Sequence, residues 1–326
     1  MPIGSLPDAA RTADLVVVYR ISDASYVKPR MPAATKEACL RSLLHALRVY
    51  MTERKGFLLL LADACGPETT AMVERTVRAS QIAAQIIAAR TGSNGASFRL
   101  CMDIAMQLRP HQTVYFCEDD YLHVPHALAT IEEGLRHANF ATGYDHPDKY
   151  GAQWNPEAKR YEPSALVPLL DPAVRAERDT AVMLGSRCHY RLTHSTTMTF
   201  ACRVETLHTM GDVMREFFAD DRCRDFFMFL RLEAEFGARL VHALPAVATH
   251  TEVPLLAPFN DWDQQAALAV ATRFPDEPTA SAAHAPAPAP PPADGGAEAP
   301  AGAPAAPAAP SGPPAVSGAG GVGPPP

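Results

Sequence analysis

Two apolar runs near the N-terminus constrain the fold of this chain more than any other feature. They read LVVVYRI over Leu15 to Ile21 and GFLLLLAD over Gly56 to Asp63. Continuous runs of this kind are typical of parallel strands that are buried on both faces. Thr35 can cap a helix between them, since leucines follow it at helical spacing. We therefore predict a right-handed βαβ unit and an α/β fold, with a mostly parallel central sheet flanked by helices.

A third apolar run leads into three consecutive acids. Val114 to Phe116 is predicted to be a buried strand, and Glu118, Asp119 and Asp120 follow it. The carboxyl ends of parallel strands meet at one edge of an open α/β sheet, where its ligands bind. Carboxylates packed this tightly repel one another, which favours a cation or a set of hydrogen-bond donors among them. A solvated acidic loop is the alternative, because three acids after a strand also occur by chance.

Polar residues follow the first two strands at the same predicted edge. Ser22 and Asp23 offer acceptors for a base or a ribose, and Lys28 offers a positive charge for a phosphate. A turn that leads into the next helix is the alternative for this loop. Asp63 ends the second strand, and the alternative for its side chain is the cap of a helix that starts near Glu68.

Two later loops carry weaker patterns. Gly92 and Asn94 predict a turn before a helix that opens at Ser97. The glycine spacing matches neither a dinucleotide-binding loop nor a Walker loop, so a plain turn and a ligand-facing amide both stay open. Residues 145–148 carry two acids and a histidine, which fit a metal cluster, a polar lid over an acceptor, or a surface loop.

The rest of the chain alternates between helix-like and strand-like patterns. Helices are predicted over residues 68–80, Val204–Phe218 and Asp225–Phe236, and strands over Phe140–Tyr144, within Ser186–Arg203, and over Arg239–Thr251. Residues 82–89 fit either a third strand or a continued helix, because periodicity does not decide between them. Residues 151–180 lack periodicity and are predicted to form an irregular insertion.

Composition excludes several classes of protein. The 326 residues carry a net charge of -7 without a long Lys/Arg cluster, so a nucleic-acid polymer is not an expected partner. The seven cysteines are scattered without CxxC pairs, which argues against a zinc site and against a secreted disulfide framework. No segment reaches the ~20 apolar residues of a membrane span. We predict a cytoplasmic protein without a transmembrane segment, and peripheral contact with a membrane stays open.

The composition changes after residue 273. Residues 274–326 consist mainly of Pro, Ala and Gly, which cannot bury enough apolar area to offset their ordering entropy. We predict a flexible N-terminus over residues 1–13, one domain over 14–273, and a disordered tail over 274–326. The tail is either a solvated appendage or a docking segment for proline-binding modules.

The acids at 118–120 and the order of the elements around them resemble the GT-A glycosyltransferases. The resemblance covers roughly residues 14–255, and the acids are similar to the EDD variant of the DxD motif in family 2-like enzymes. It implies the GT-A (nucleotide-diphospho-sugar transferase) fold. It also implies a divalent metal, Mn²⁺ or Mg²⁺, held by Asp120 and by His250 of a late THxE pattern. A lone histidine is more often a satisfied polar residue, and that alternative stays open.

The resemblance further implies a donor site and a catalytic base. The implied nucleotide- and sugar-binding residues are Arg20, Ser22, Asp23, Lys28, Asp63, Asn94, Glu118 and Asp119. An inverting enzyme needs a carboxylate to accept the proton of the attacking hydroxyl. We predict Asp225 for this role, with Asp221 as the second candidate, because Phe226, Phe227 and Phe229 would desolvate Asp225 and raise its basicity. A helix N-cap is the alternative for either acid.

The predicted function is therefore metal-dependent transfer of a sugar from a nucleotide-diphosphate donor to an acceptor hydroxyl. The enzyme would be a hexosyl- or N-acetylhexosaminyltransferase, and its acceptor a glycan, lipid or protein. One alternative is a sugar nucleotidyltransferase, although YRISDASYVKPR, residues 19–30, lacks the GxGTR-like loop usual in that class. Another is a module that binds sugar nucleotides without turnover.

Overall fold

The computed structural model describes most of the chain up to Glu277. The described residues are 5–24, 29–150, 152–155, 158, 160–163, 182–219 and 224–277. Two predicted site residues, Lys28 and Asp221, lie outside them. The predicted tail also lies outside them from residue 278 onward.

The described residues form thirteen strands and eight α-helices. The strands are β1 Leu15–Ser22, β2 Gly56–Asp63, β3 Ala84–Ala89, β4 Thr113–Glu118, β5 Tyr121–His123, β6 Phe140–Thr142, β7 Ala152–Asn155, β8 Arg160–Pro163, β9 Val182–Leu184, β10 His189–Leu192, β11 Phe200–Arg203, β12 Leu240–Leu244 and β13 Ala248–His250. The helices are α1 Asp8–Thr12, α2 Lys36–Tyr50, α3 Pro67–Ser80, α4 Asn94–Ala105, α5 Ala127–Gly134, α6 Val204–Glu216, α7 Asp225–Phe236 and α8 Trp262–Ala271. Two 3₁₀ turns lie at Pro147–Lys149 and Val253–Leu255.

One large sheet forms the centre of the described fold. Its strand order is β3-β2-β1-β4-β11-β6-β12-β10-β9. β1 pairs in parallel with both β2 and β4, whereas β11 and β10 run antiparallel to their neighbours. The predicted fold class, α/β with a mostly parallel central sheet flanked by helices, is confirmed.

Helices cover both faces of the sheet because successive residues of a buried strand point to opposite sides. On one face Val17 and Tyr19 of β1 belong to a core that includes residues of α2, α5 and α8. On the other face Val16 and Val18 belong to a core that includes residues of α4, α6 and α7. Every residue of β2 is buried. The continuous apolar runs therefore reflect burial on both faces, as predicted.

Three local predictions are corrected by the structure, and one alternative that the sequence left open is decided. The helix predicted from Ser97 begins at Asn94, because the Ser93 hydroxyl caps it by accepting from the Ala96 amide at 3.1 Å. Gly92 precedes it with a φ of +84°, which glycine adopts without strain. Residues 82–89, left open between strand and helix, contribute β3 at the edge of the parallel strands.

The other two corrections concern predicted strand and insertion boundaries. The single strand predicted over Arg239–Thr251 is divided into β12 and β13, because the chain turns at Pro245 and the two strands join different sheets. Within the predicted irregular insertion, β7 and β8 pair as an antiparallel hairpin. Residues 164–181 lie outside the described residues.

A short two-stranded ribbon extends from the carboxyl edge of β4. β5 pairs antiparallel with β13, which places Tyr121 opposite His250. The Thr251 amide also donates to the Asp120 carbonyl at 2.9 Å. The ribbon thus holds a late segment of the chain against the end of the acidic strand. In the portion of the chain that the structure describes, no helix combines the length and apolar character needed to cross a bilayer.

Candidate active site

The acids and polar residues predicted at one edge of the sheet lie there. In the register of the parallel strands Ser22 is the partner of Asp63, and Arg20 is the partner of Glu118. Asp119 and Asp120 follow directly, in the turn between β4 and β5. The carboxyl ends of β1, β2 and β4 therefore place these side chains on a common edge, where ligands of open α/β sheets bind.

Asp119 and Asp120 are buried beside two cations that sequence reasoning missed. The relative exposures of Asp119 and Asp120 are 5% and 2%. The Arg30 guanidinium lies 3.7 Å from Asp119 and 3.5 Å from Asp120, and the Lys36 ammonium lies 3.5 Å from Asp119. The Ser22 amide also donates to Asp119 at 3.3 Å. Asp119 and Asp120 therefore do not form a solvated acidic loop, which was the alternative.

The buried acids make the site electrostatically receptive to a cation. Burial and the neighbouring Asp120 carboxylate raise the pKa of Asp119, and Lys36 and Arg30 offset this only in part. Two carboxylates in a low-dielectric site resist simultaneous ionisation, so additional positive charge stabilises the ionised pair. The geometry thus favours binding of a metal ion or another cation at this edge.

Lys36 also organises the loop that follows β1. Its ammonium donates to the Ser22 carbonyl at 2.5 Å and to the Asp23 carboxylate at 2.6 Å. Asp23 in turn accepts from the Gly66 amide at 2.8 Å and the Thr69 hydroxyl at 2.9 Å, at the start of α3. Partial burial opposes ionisation of Asp23, but these hydrogen bonds outweigh it and lower its pKa. Asp23 therefore joins the β1 loop to α3.

Arg30 reaches the acids because its backbone is tied to the late segment. It forms an isolated antiparallel bridge with Glu252, and the Met31 amide donates to the Thr251 carbonyl at 3.0 Å. No local pattern around Arg30 indicates this long-range pairing. Lys36 could have been found as the first residue of a predicted helix that follows a polar strand end.

His250 and Asp120, the predicted metal ligands, face each other. The His250 Nε2 atom lies 3.1 Å from an Asp120 carboxylate oxygen, and the exposures of the two side chains are 1% and 2%. The Glu252 amide donates to His250 Nδ1 at 3.3 Å, so in this arrangement Nε2 carries the proton that points to Asp120. A metal bound between the two groups would take the place of that proton.

The separation and chemistry of this pair fit an octahedral divalent ion. Two ligands in adjacent octahedral positions with bonds of about 2.1 Å lie about 3 Å apart, close to the observed distance. Carboxylate oxygen and imidazole nitrogen both suit Mn²⁺, and carboxylate suits Mg²⁺. Within the described ranges, no cluster of three or more His, Cys, Asp or Glu residues could hold a metal. The remaining positions would therefore fall to ligand oxygens and water.

Three of the predicted donor-site residues contact one another through an ion pair and hydrogen bonds. Arg20 forms an ion pair with Glu118 and donates to both the Asn94 side-chain oxygen and the Asn94 carbonyl. Asn94 is the first residue of α4, so this contact fixes the helix against the ends of β1 and β4. The three side chains therefore lie together at the carboxyl ends of β1 and β4, where Asp119 follows Glu118.

Asp63 holds the loop that leads into α4. It accepts from the Thr91 amide at 2.9 Å and from the Thr91 hydroxyl at 2.5 Å. The alternative of a cap for α3 is wrong, because the carboxylate at the start of that helix belongs to Asp23, which accepts from the Gly66 amide. Asp63 is 5% exposed, so any base that it contacts must enter close to the Thr91 loop.

Asp225, the predicted base, holds a tight turn between β10 and β11. One of its carboxylate oxygens accepts from the Thr196 hydroxyl at 2.6 Å and from the Thr196 and Met198 amides, both at 3.2 Å. Thr197 and Met198 have φ values of +46° and +63°. Non-glycine residues rarely adopt this conformation, and when they do the site is often functional. The Tyr121 hydroxyl donates to the Thr196 carbonyl at 2.7 Å, which ties the turn to the residue after Asp120.

The three phenylalanines that follow Asp225 in the sequence have different surroundings. Phe229 is buried and packs against Phe140 and Phe200, on the core side of α7. Phe227 is 60% exposed. Residues four apart share one face of a helix, so Phe229 lies on the side of α7 that carries Asp225, whereas Phe227 lies two residues along and on another face. The contacts that the structure shows at the carboxylate itself are the hydrogen bonds from the turn.

Distant solved structures resemble the described fold, although no protein-family model and no curated protein sequence matches the chain. The WbbM bifunctional glycosyltransferase, in its apo form, is 13% identical, with a TM-score of 0.42 over 72% of this chain and 39% of that one. S. aureus TarS, residues 1–349 with UDP, is 12% identical, with a TM-score of 0.41 over 70% and 57%. The mannosyltransferase PcManGT from Pyrobaculum calidifontis, with GDP-Man and Mn²⁺, is 14% identical, with a TM-score of 0.40 over 74% and 57%.

This chain therefore spans about two fifths of the first of these proteins and somewhat more than half of the other two. Likenesses this distant assign no function. The function has to be inferred from the residues at the carboxyl edge of the sheet.

Residues 145–148 form a buried network rather than a surface loop. Asp145 is 0% exposed; it accepts from the Tyr150 hydroxyl and lies 3.2 Å from Nδ1 of His242, which is also 0% exposed. Asp148 accepts from the Ser195 hydroxyl at 2.5 Å and pairs with Lys149 at 2.9 Å. The alternative of a surface loop is therefore wrong. The hydrogen bond between Ser195 and Asp148 connects this network to the turn after β10.

Asp145→Asn should change how stability depends on pH. Burial raises the pKa of Asp145 to about 6, although Lys149 and Tyr150 oppose the shift. The native state then holds more protons than the unfolded state between about pH 4 and 6, so stability falls as pH rises through this window. The variant lacks this loss, so its free energy of unfolding relative to the parent should rise by roughly 3 kcal/mol from pH 4 to 7.

Urea unfolding at several pH values measures this difference. Asp212→Asn serves as the control, because the Asp212 side chain is fully exposed. A difference between the Asp145 variant and the parent that is the same at pH 4 and pH 7 would contradict the assignment.

Proposed function

We propose that the chain is a metal-dependent glycosyltransferase of the GT-A type, which moves a sugar from a nucleotide-diphosphate donor to an acceptor hydroxyl. One observation carries the proposal. Asp119 and Asp120 are buried at the carboxyl edge of parallel strands, with Arg30, Lys36 and His250 directed at them. Buried anions and cations side by side suit a ligand that brings both a metal and negatively charged phosphates.

The donor would lie along the ends of β1, β2 and β4. Asp120 and His250 would hold Mn²⁺ or Mg²⁺, which supplies Lewis-acid stabilisation of charge on the departing diphosphate. Lys36 and Arg30 provide further positive charge at the same edge. Asp63 and Ser22 provide acceptors for the base and the ribose.

The acceptor would approach from the side of the turn at Thr196–Met198. Asp225 accepts three hydrogen bonds from this turn through one oxygen, and these contacts orient the carboxylate. We assign it as the base that receives the proton of the attacking hydroxyl, with inversion at the anomeric carbon. The acceptor class would be a glycan, lipid or protein hydroxyl, and the donor sugar a hexose or N-acetylhexosamine.

The domain boundaries follow from the same proposal. We assign the catalytic domain to residues 14–273, in the cytoplasm. The described contacts continue slightly beyond this boundary, since Arg41 pairs with Glu277 at 2.5 Å. This ion pair closes the segment after α8 over α2.

A thermal-shift screen of the full chain against sugar nucleotides, with and without Mn²⁺, tests the proposal. A transferase should be stabilised by one class of sugar nucleotide only when the metal is present, and should slowly hydrolyse that donor without an acceptor. A sugar nucleotidyltransferase would instead release pyrophosphate from a nucleoside triphosphate, and a non-catalytic module would bind without releasing sugar. Absence of any stabilisation by sugar nucleotides with Mn²⁺ would refute the proposal.

A further inference from the structure

A second charged concavity lies at the opposite edge of the sheet. A cavity of about 220 Å³ is lined by residues around the starts of β1 and β4 and the end of β11. Asp14 precedes β1, and its carbonyl accepts from the Thr113 amide, the first residue of β4, at 3.0 Å. Since strands rise about 3.3 Å per residue, β1 separates this cavity from Ser22 by roughly 25 Å. It is therefore not a subsite of the carboxyl edge.

Positive charge dominates this cavity. Its lining includes four arginines and one carboxylate, namely Arg11, Arg54, Arg109, Arg203 and Asp14. The carboxylate is already engaged, because Asp14 accepts from the Lys55 amide at 2.8 Å and lies 3.5 Å from Arg54. The excess of guanidinium groups stands out on a chain whose net charge is -7.

Three of these arginines have no carboxylate partner within the described ranges. Arg203 donates to the His111 carbonyl at 3.1 Å and the Thr113 hydroxyl at 2.8 Å, which fixes its guanidinium at the cavity wall. Arg11 donates to the Leu6 carbonyl at 3.2 Å, and Arg109 is exposed. Neutral contacts hold the Arg11 and Arg203 side chains but leave their charge uncompensated, so an anion in the cavity would be stabilised by all three arginines.

A neighbouring cavity shows that this charge excess is local. It is larger, about 280 Å³, and shares Arg54 and Arg203. Its lining also includes Glu132 and Glu133, which engage arginine and hydroxyl groups around them. Positive and negative side chains there are nearly balanced. The anion-binding character therefore belongs to the smaller cavity.

We propose that the cavity around Arg11, Arg109 and Arg203 is a binding site for a phosphate-type oxyanion, separate from the donor site. Arginine forks match the oxygens of a phosphate and form short, charge-assisted hydrogen bonds with them. The volume lies below the ~300 Å³ at which sites for drug-sized ligands begin, so it suits a single phosphate group. Such a group could be free phosphate or the headgroup of an anionic lipid, and both present the same chemistry to the arginines.

Titration of the full chain with inorganic phosphate, followed by NMR or calorimetry, tests the site. Arg109→Ala should weaken binding about tenfold, because it removes one charge-assisted contact, and Arg109→Lys should restore part of the affinity. Arg239→Ala is the matched control, since Arg239 is also exposed and precedes β12, but does not line the cavity. Lys36→Ala removes a cation from the donor edge and should leave this phosphate affinity unchanged.

Co-sedimentation with vesicles distinguishes the two sources of phosphate. Binding to phosphatidylglycerol vesicles but not to pure phosphatidylcholine, lost in Arg109→Ala and retained in Arg239→Ala, would assign the site to a lipid headgroup. Binding of soluble phosphate with the same pattern of variants would assign it to a free ion. The proposal is overturned if the parent binds neither, if Arg239→Ala weakens binding as much as Arg109→Ala, or if Lys36→Ala alone removes it.

Discussion

Asp120→Asn is expected to abolish the Mn²⁺-dependent part of donor binding and to leave the thermal transition nearly unchanged. Asparagine keeps the volume of the side chain and an oxygen that can accept from His250, which lies 3.1 Å away. It removes the negative charge that a divalent ion requires. Even groups in the outer shell of a metal are worth 10–100-fold in affinity, so loss of a direct ligand should cost at least about 100-fold.

Calorimetric titration of Mn²⁺ in the presence of the donor measures this loss. Asp212→Asn, a change of the same kind at a fully exposed position, is the matched control. Unchanged Mn²⁺ affinity in the Asp120 variant would remove Asp120 from the metal site. Donor binding that needs no metal in either protein would assign charge neutralisation to Arg30 and Lys36 instead.

Asp225→Asn is expected to stop transfer while donor binding continues. The amide oxygen can still accept from the Thr196 hydroxyl at the turn, so the local structure should persist. The variant cannot take up the proton of the acceptor hydroxyl, and loss of a general base typically lowers the rate by roughly 10²–10⁴-fold. The effect should fall on kcat, because Asp225 is not among the residues proposed to hold the donor.

Steady-state transfer, together with donor binding by thermal shift, separates these two effects. Asp261→Asn is the matched control, since Asp261 also lies at a helix start and accepts from the Gln264 amide at 2.9 Å. Transfer at the parental rate in the Asp225 variant would exclude Asp225 as the base and direct the search to Asp221, which lies outside the described residues.

The strands and the edge that they define could be predicted because their determinants are local. Continuous apolar runs identified β1, β2 and β4, and the polar residues that end them identified the carboxyl edge. The cap of α2 could be predicted equally well, since the Thr35 hydroxyl accepts from the Ala38 amide at 3.1 Å. In each case burial and hydrogen bonding follow from residues a few positions apart.

The electrostatic partners of the acids could not be predicted because they come from distant segments. Arg30 is placed by its bridge to Glu252, which no short pattern reveals. The buried pair of Asp145 and His242 likewise joins a loop to a strand that is far away in sequence. For Asp225 the prediction relied on neighbours in the sequence, and one of them, Phe227, is 60% exposed.

The ribbon of β5 and β13 also has a consequence for when the proposed metal site forms. It joins Asp120 to His250 only after a long loop has closed, and the conformational entropy of that closure must be overcome by the surrounding core. Chains fold from the N-terminus as they leave the ribosome, so a nascent chain that ends after β4 holds the acids without the histidine. The proposed metal site should therefore be completed late in synthesis, when β13 docks.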